Sequence, residues 1–190
     1  MTQQPAEPTA TDDLEAVLAT TVSVLDGVGA DDWTRPTPCD GFDVAALVEH
    51  VVRWSLTYAG RVGLSTPSQP LAAHRSDDGT GHPAAQLLRD VAPVIVTGYR
   101  SDSEGSRSLP LGIVLLDYIG HTWDLAVATG QELRLPDSAV DRALAAGRSI
   151  LTPEARGDSF GPEVAVATDA TGLERLVAFL GRDPGWTPPV

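Results

Sequence analysis

Apolar residues that recur at intervals of three and four limit what this chain can fold into more than any other feature. That spacing draws one stripe along an α-helix and none along a strand. Leu14, Val17, Leu18, Val22 and Leu25 follow it from Thr11 onward, and Gly27 and Gly29 stop it. A second stripe starts near Val44, runs through Leu47, Val48, Val51, Val52 and Trp54 to about Gly60, and carries His50 in its middle. Asp43 stands at the N-cap position of that helix, with Phe42 and Leu47 placed as a hydrophobic staple. The spacing predicts a third helix from Pro83 through Leu87, Leu88, Val91, Val94 and Ile95 to Tyr99, kinked or broken at Pro93. A fourth spans Leu111 to Thr129, a shorter one over 137–151 opens on Pro136-Asp137, and a last one covers 171–180. The alternation at Val164, Ala165 and Val166 is too brief to read as a strand. The expected fold is all-α.

The rest of the chain reads as connections around one body. Residues 1–10, polar and with two prolines, are expected to be a disordered lead-in; residues 11–184 form a single domain; residues 185–190 are a tail, with Trp186 lying against the body. The segment DDWTRPTPCDGFD, 31–43, holds two prolines and an Asp-Gly turn pair, so it reads as a structured connector. Residues 61–82 read as a long surface loop, and 101–108 as a polar patch.

Charge narrows the partners. Thirteen basic residues, all arginine, stand against 26 acidic ones, a formal net charge of −13, which repels nucleic acid and anionic lipid. The single cysteine, Cys39, excludes an intrachain disulfide, and the first residues have neither the basic nor the apolar region of a secretion signal. No apolar run is expected to approach the roughly 20 residues that span a bilayer. A cytoplasmic protein without nucleic-acid or membrane partners is the expectation.

Helix four raises the chemical question. Leu111, Val114, Leu115, Tyr118, Ile119 and Leu125 form its apolar stripe, while Asp117, His121 and Asp124 fall along one edge of it. In helix two, His50 sits beside Leu47 and Trp54, also at the border of the buried face. Two histidines and a carboxylate from two facing helices are what a bundle needs to hold a divalent metal with coordination positions left open. The spacing is also met by the blander arrangement, a core-edge His121 hydrogen-bonded to Asp117 or Asp124 and a His50 that packs separately, as buried polar groups generally find partners.

A family resemblance bears on that choice. WTRPTPC at 33–39, FDV at 42–44, LVEH at 47–50, HTWDLA at 121–126 and Thr129-Gly130 resemble the small actinobacterial branch of the DinB-like, mycothiol-dependent maleylpyruvate isomerase superfamily. The closing segments FGPEV at 160–164 and FLGRDP at 179–184 are similar to those of its small members. The resemblance implies a DinB-like four-helix bundle with short additional C-terminal helices. It also implies a metal site, zinc or a related ion, whose ligands fall on His50, Asp117 and His121. Asp117 departs from the family's usual glutamate by one methylene, so either the helices sit closer, or a water bridges the gap, or the site is degraded.

The resemblance further implies a metal that activates mycothiol or a similar thiol for attack on an electrophilic carbon of a small-molecule substrate, as an isomerase or a transferase, in a monomer or homodimer. Two other functions stay open: a metal-free bundle that binds small molecules or partners, and metal-assisted hydrolysis without a thiol. Asp124 either orients an imidazole through its second nitrogen or solvates the helix edge. Arg53 and Arg100 are possible carboxylate anchors that default to solvent. Cys39 reads as structural, Trp33 and Trp123 as packing, and His74 and His82 as solvated.

Overall fold

Six helices form in the order expected, and the boundaries follow local chemistry. The structure, a computed structural model, describes residues 8–62, 79–102, 109–152, 154–156 and 160–189. Helix α1 is Ala10–Asp26, α2 Val44–Arg61, α3 His82–Ser101, α4 Leu111–Thr129, α5 Asp137–Ile150 and α6 Gly172–Phe179. Residues 1–7 of the expected lead-in lie outside the described residues, and α1 starts at Ala10 rather than at the expected Thr11. Thr9 and Asp12 form a capping box, the Thr9 hydroxyl accepting from the Asp12 amide at 3.2 Å and the Asp12 carboxylate from the Thr9 amide at 3.0 Å. That reciprocal pair satisfies two donors otherwise left open at a helix start, so helix begins at Ala10.

Helix α3 runs through Pro93 without a break. Asp43 caps α2 as expected, its carboxylate accepting from the Ala46 amide at 2.8 Å, while the Phe42 ring turns edge-on to His50, centroids 5.2 Å apart. Residues 164–166 form no strand; Val164 donates its amide to the Ala178 carbonyl. Most of the loop expected over 61–82, with His74, and most of the polar patch over 101–108 lie outside the described residues.

Packing closes a four-helix ring. Helix α1 lies against α3 and α4, and α2 lies against the same two, so α1 and α2 sit on one diagonal and α3 and α4 on the other. Helix α5 covers α4, and α6 covers α5. Leu14, Leu18, Leu25, Leu47, Leu88, Ile95, Leu115, Ile119 and Leu125 are fully buried between them, which is the stripe pattern realised in space. Helix α4 has neighbours on most sides, and its sequence is apolar enough to answer the membrane question in an unexpected way. It is the one helix among the described residues long and apolar enough to cross a bilayer, yet 67% of that window is buried inside the bundle.

One buried polar tie fixes α5 to α1. Asp13, 1% exposed, accepts from Ser138 Oγ at 2.6 Å and from Arg142 Nε at 2.9 Å. Arg142 is 40% exposed and rehydrates easily, so only the loss of the charge-assisted bonds is felt. Asp13→Asn is expected to cost about 1–3 kcal/mol, read as a lower urea midpoint at unchanged slope.

Candidate functional site

The adjacency of α2 and α4 brings His50 and His121 together, ring centroids 4.7 Å apart and inclined by 73°. Asp117, one turn before His121, places Oδ1 at 3.5 Å from His121 Nε2. One ligand atom from each of His50, Asp117 and His121 lies within 4.8 Å of the other two. All three sequence-predicted residues therefore meet in one small volume.

Each has a physical reason to be there. His50 lies two turns into α2 and is held between the Phe42 and Trp54 rings. Asp117 is fixed from across the bundle by Tyr58 of α2, whose hydroxyl donates to Oδ2 at 2.9 Å. Burial and the adjacent carboxylate push the Tyr58 phenol far up, so it remains a donor. His121 sits between two carboxylates, Nε2 toward Asp117 and Nδ1 3.3 Å from Asp124 Oδ2.

The electrostatics separate the two imidazoles. Burial works against a charge on His121, but hydrogen bonds to Asp117, Asp124 and Cys39 outweigh it and hold its proton well above the ordinary histidine range. Burial pushes His50 down, and the charge of His121 adds to that, with Asp117 opposing. Asp117 is pushed up by burial and pulled down more strongly by His121, Tyr58 and His50, ending below the usual carboxylate range. At neutral pH the site holds one imidazolium, one neutral imidazole and a carboxylate.

Behind His121 stands a group the sequence reading did not assemble. Asp124 is completely buried and grips Arg182 through two bonds, Nε to Oδ1 at 3.1 Å and Nη2 to Oδ2 at 2.9 Å. The reading of Asp124 as a solvated edge residue is thereby overturned, and its role beside the second imidazole nitrogen is the geometry found. Arg182 Nη2 also lies 3.3 Å from Cys39 Sγ, so Cys39 has the positive partner that nothing near it in sequence supplies. Cys39, His121 and Asp124 form a second cluster of ligand-type atoms within 4.8 Å.

Arg182 reaches this place because α6 ends in a Schellman turn. The Arg182 amide donates to the Val177 carbonyl and the Gly181 amide to the Ala178 carbonyl, with Gly181 at φ 89°. A side chain at Gly181 would also collide with the Gly161 backbone, 2.8 Å away. A glycine directly after the last apolar helical residue was the readable signal for that turn, but the target of the next side chain was not. Arg53 and Arg100 lie elsewhere, paired with Glu49 and with Asp12 and Glu15 on exposed faces. His82 is half-exposed and pairs with Asp26, while Trp33 and Trp123 are buried as packing residues.

The cluster opens onto a cavity of about 540 Å³. Phe42, Trp54, Leu109, Ile113, Leu116 and Phe160 line its walls, and His50, Asp117, His121, Cys39 and Arg182 its polar end. An α-helical bundle with a histidine and carboxylate cluster at the head of an apolar cavity is the class of protein that fold and site define. The model of the mycothiol maleylpyruvate isomerase N-terminal domain matches residues 14–126, and the chain belongs to that family. It is also similar to two Mycobacterium tuberculosis proteins, each described as uncharacterized, Rv0738 of strain H37Rv and MT0763 of strain CDC 1551. Each is 31% identical over 173 residues, covering 84% of this chain and 90% of the relative. No solved structure matches the chain.

Proposed function

We propose that the protein is a metal-dependent enzyme that adds a low-molecular-weight thiol of the mycothiol type to an electrophilic small molecule. It acts as an isomerase if the sulfur departs again and as an S-transferase if it stays. The observation that carries this reading is the convergence of His50, Asp117 and His121 from two facing helices at the head of the cavity. The donor set suits zinc. Ligands about 2.0–2.1 Å from a tetrahedral ion lie about 3.3 Å from one another, close to the 3.5 Å between His121 Nε2 and Asp117 Oδ1. With aspartate at 117, one ligand atom from each of the three residues still lies within 4.8 Å of the other two. A divalent ion held there favours the thiolate form of a bound thiol at neutral pH.

The chain's own residues supply the rest. His50 offers a neutral nitrogen and His121 one after Nε2 gives up its proton, Asp117 supplies a negative oxygen that Tyr58 steadies, and apolar side chains wall the reacting end. Asp124 accepts from His121 Nδ1, which turns Nε2 toward the ligand position; Arg182 holds Asp124 to that task.

Loading requires His121 to release its Nε2 proton, and that proton is held above the ordinary histidine range. Zinc affinity is therefore expected to rise about tenfold per pH unit through neutrality and to level off only above the ordinary imidazole pKa of about 6.5. Chelator-competition titrations between pH 5.5 and 8.5 check this; a plateau already reached at pH 6.5 contradicts it.

One observation favours a second reading, a metal-free small-molecule binding bundle. The network Tyr58, Asp117, His121, Asp124 and Arg182 pairs its own charges without an ion. Elemental mass spectrometry on protein purified without chelator or polyhistidine tag separates the two. Near-stoichiometric divalent metal, with turnover of an electrophile that stops when thiol is omitted, is the expected result. Absence of metal after soaking in zinc, nickel, iron and manganese selects the binding bundle, and turnover without thiol selects hydrolysis.

A further inference from the structure

The cavity's walls say more about the substrate than its polar end does. Beyond the histidine cluster the lining is apolar, with Phe42, Trp54, Leu109, Ile113, Leu116 and Phe160 facing the space. Arg182 is the one arginine among the described lining residues, and the chain has no lysine. Its guanidinium is already committed: Nε and Nη2 bind Asp124, Nη1 binds the Leu180 carbonyl, and Nη2 also meets Cys39. Asp124 is fully buried, so the charge of Arg182 is neutralised in place.

The remaining charges do not favour an anion either. His121 faces Asp117 and Asp124, and Asp40 and Asp117 are themselves lining residues. Arg148 and Arg156 border a neighbouring groove that shares Leu151 and Phe160 with this cavity. Arg148 faces Glu163 at 3.9 Å, and Arg156 stacks over Phe179 while donating to the Gly161 and Phe179 carbonyls. Among the described residues, a carboxylate placed along the walls would lose its water and gain no uncommitted cation, which is the costly case for a buried charge.

We infer that the site takes a substrate whose body is uncharged and apolar, an aryl or alkyl group behind the electrophilic end, and that it rejects dicarboxylates. This deepens the proposed function and rests on it for the word substrate; the binding preference itself rests on the cavity alone. The isomerase that gives the family its name acts on a dicarboxylate, so the inference separates this chain from that activity.

Isothermal titration at pH 7.5 with methyl cinnamate, cinnamate and 4-carboxycinnamate tests it, since the three share a skeleton and carry zero, one and two negative charges. Each is titrated into metal-free and zinc-loaded protein. Methyl cinnamate is expected to bind about tenfold or more tightly than the dianion in the metal-free form, where no ion offers a carboxylate an open ligand position. Ile150→Arg adds a cation at the rim, where the native side chain is 44% exposed and lines the cavity. It is expected to narrow the gap by strengthening the dianion while leaving methyl cinnamate within about twofold. Equal or tighter binding of the dianion to the metal-free native protein overturns the inference, as does a failure of all three to bind. Zinc uptake, read on the same samples, reports separately on the metal, so loss of one conclusion is distinguishable from loss of the other.

Discussion

Arg182→Met is expected to lower the stability of the metal-free protein by about 3–5 kcal/mol, the cost typical of removing one partner from a buried ion pair. Arg182 is 7% exposed and Asp124 not at all, and the two share a forked pair of bonds. Methionine fills much of the same volume, so the deficit comes from stranding the carboxylate rather than from a void. Urea unfolding followed by circular dichroism reads it. The double variant Asp124→Leu with Arg182→Met is expected to recover most of the loss, because replacing both charges removes the stranded group. A single variant within about 0.5 kcal/mol of the native protein would show that the pair is not buried in solution as it is in the structure.

His121→Ala is expected to weaken zinc binding by roughly 10²–10³-fold, since four-ligand zinc sites supply about 10–16 kcal/mol in all and each donor carries a few kcal/mol of it. His50→Ala should fall in the same range. Asp124→Asn, which leaves the three donors in place and alters only the group behind His121, is expected to lose a smaller factor, roughly 10–100-fold. The ordering is the informative part: ligands first, orienting carboxylate second. His82→Ala, at an exposed pair with Asp26, should leave affinity unchanged. If His121→Ala binds zinc as tightly as the native protein does, the ion is held elsewhere and the proposed site is wrong.

Much of this arrangement was legible from residue spacing. Helix α4 came out at Leu111–Thr129 from its apolar stripe and the Gly130 stop, and Gly130 does adopt the left-handed geometry, φ 69°, that a helix end favours. The i to i+4 relation of Asp117 and His121 survives in space because it is a property of one helix. The relation of His50 to His121 needed two helices to be neighbours, which periodicity does not state and the family resemblance did. What spacing missed are contacts across long stretches of chain. Tyr58 and Asp117 are 59 positions apart, Arg182 and Asp124 are 58 apart, and Cys39 and Arg182 are 143 apart. Thr9 was missed for another reason: its partner three residues on is aspartate, a shorter reciprocal cap than the glutamate that usually marks the box.

The Schellman turn after α6 has a temporal consequence. A ribosome delivers α1 to α4 well before residue 182, so for that interval Asp124 has no arginine and His121 has a carboxylate free to swing. The cluster reaches its final geometry only when the stretch that follows α6 folds back onto α4. Until then the three donors can already be in place while the carboxylate behind His121 lacks the arginine that fixes it.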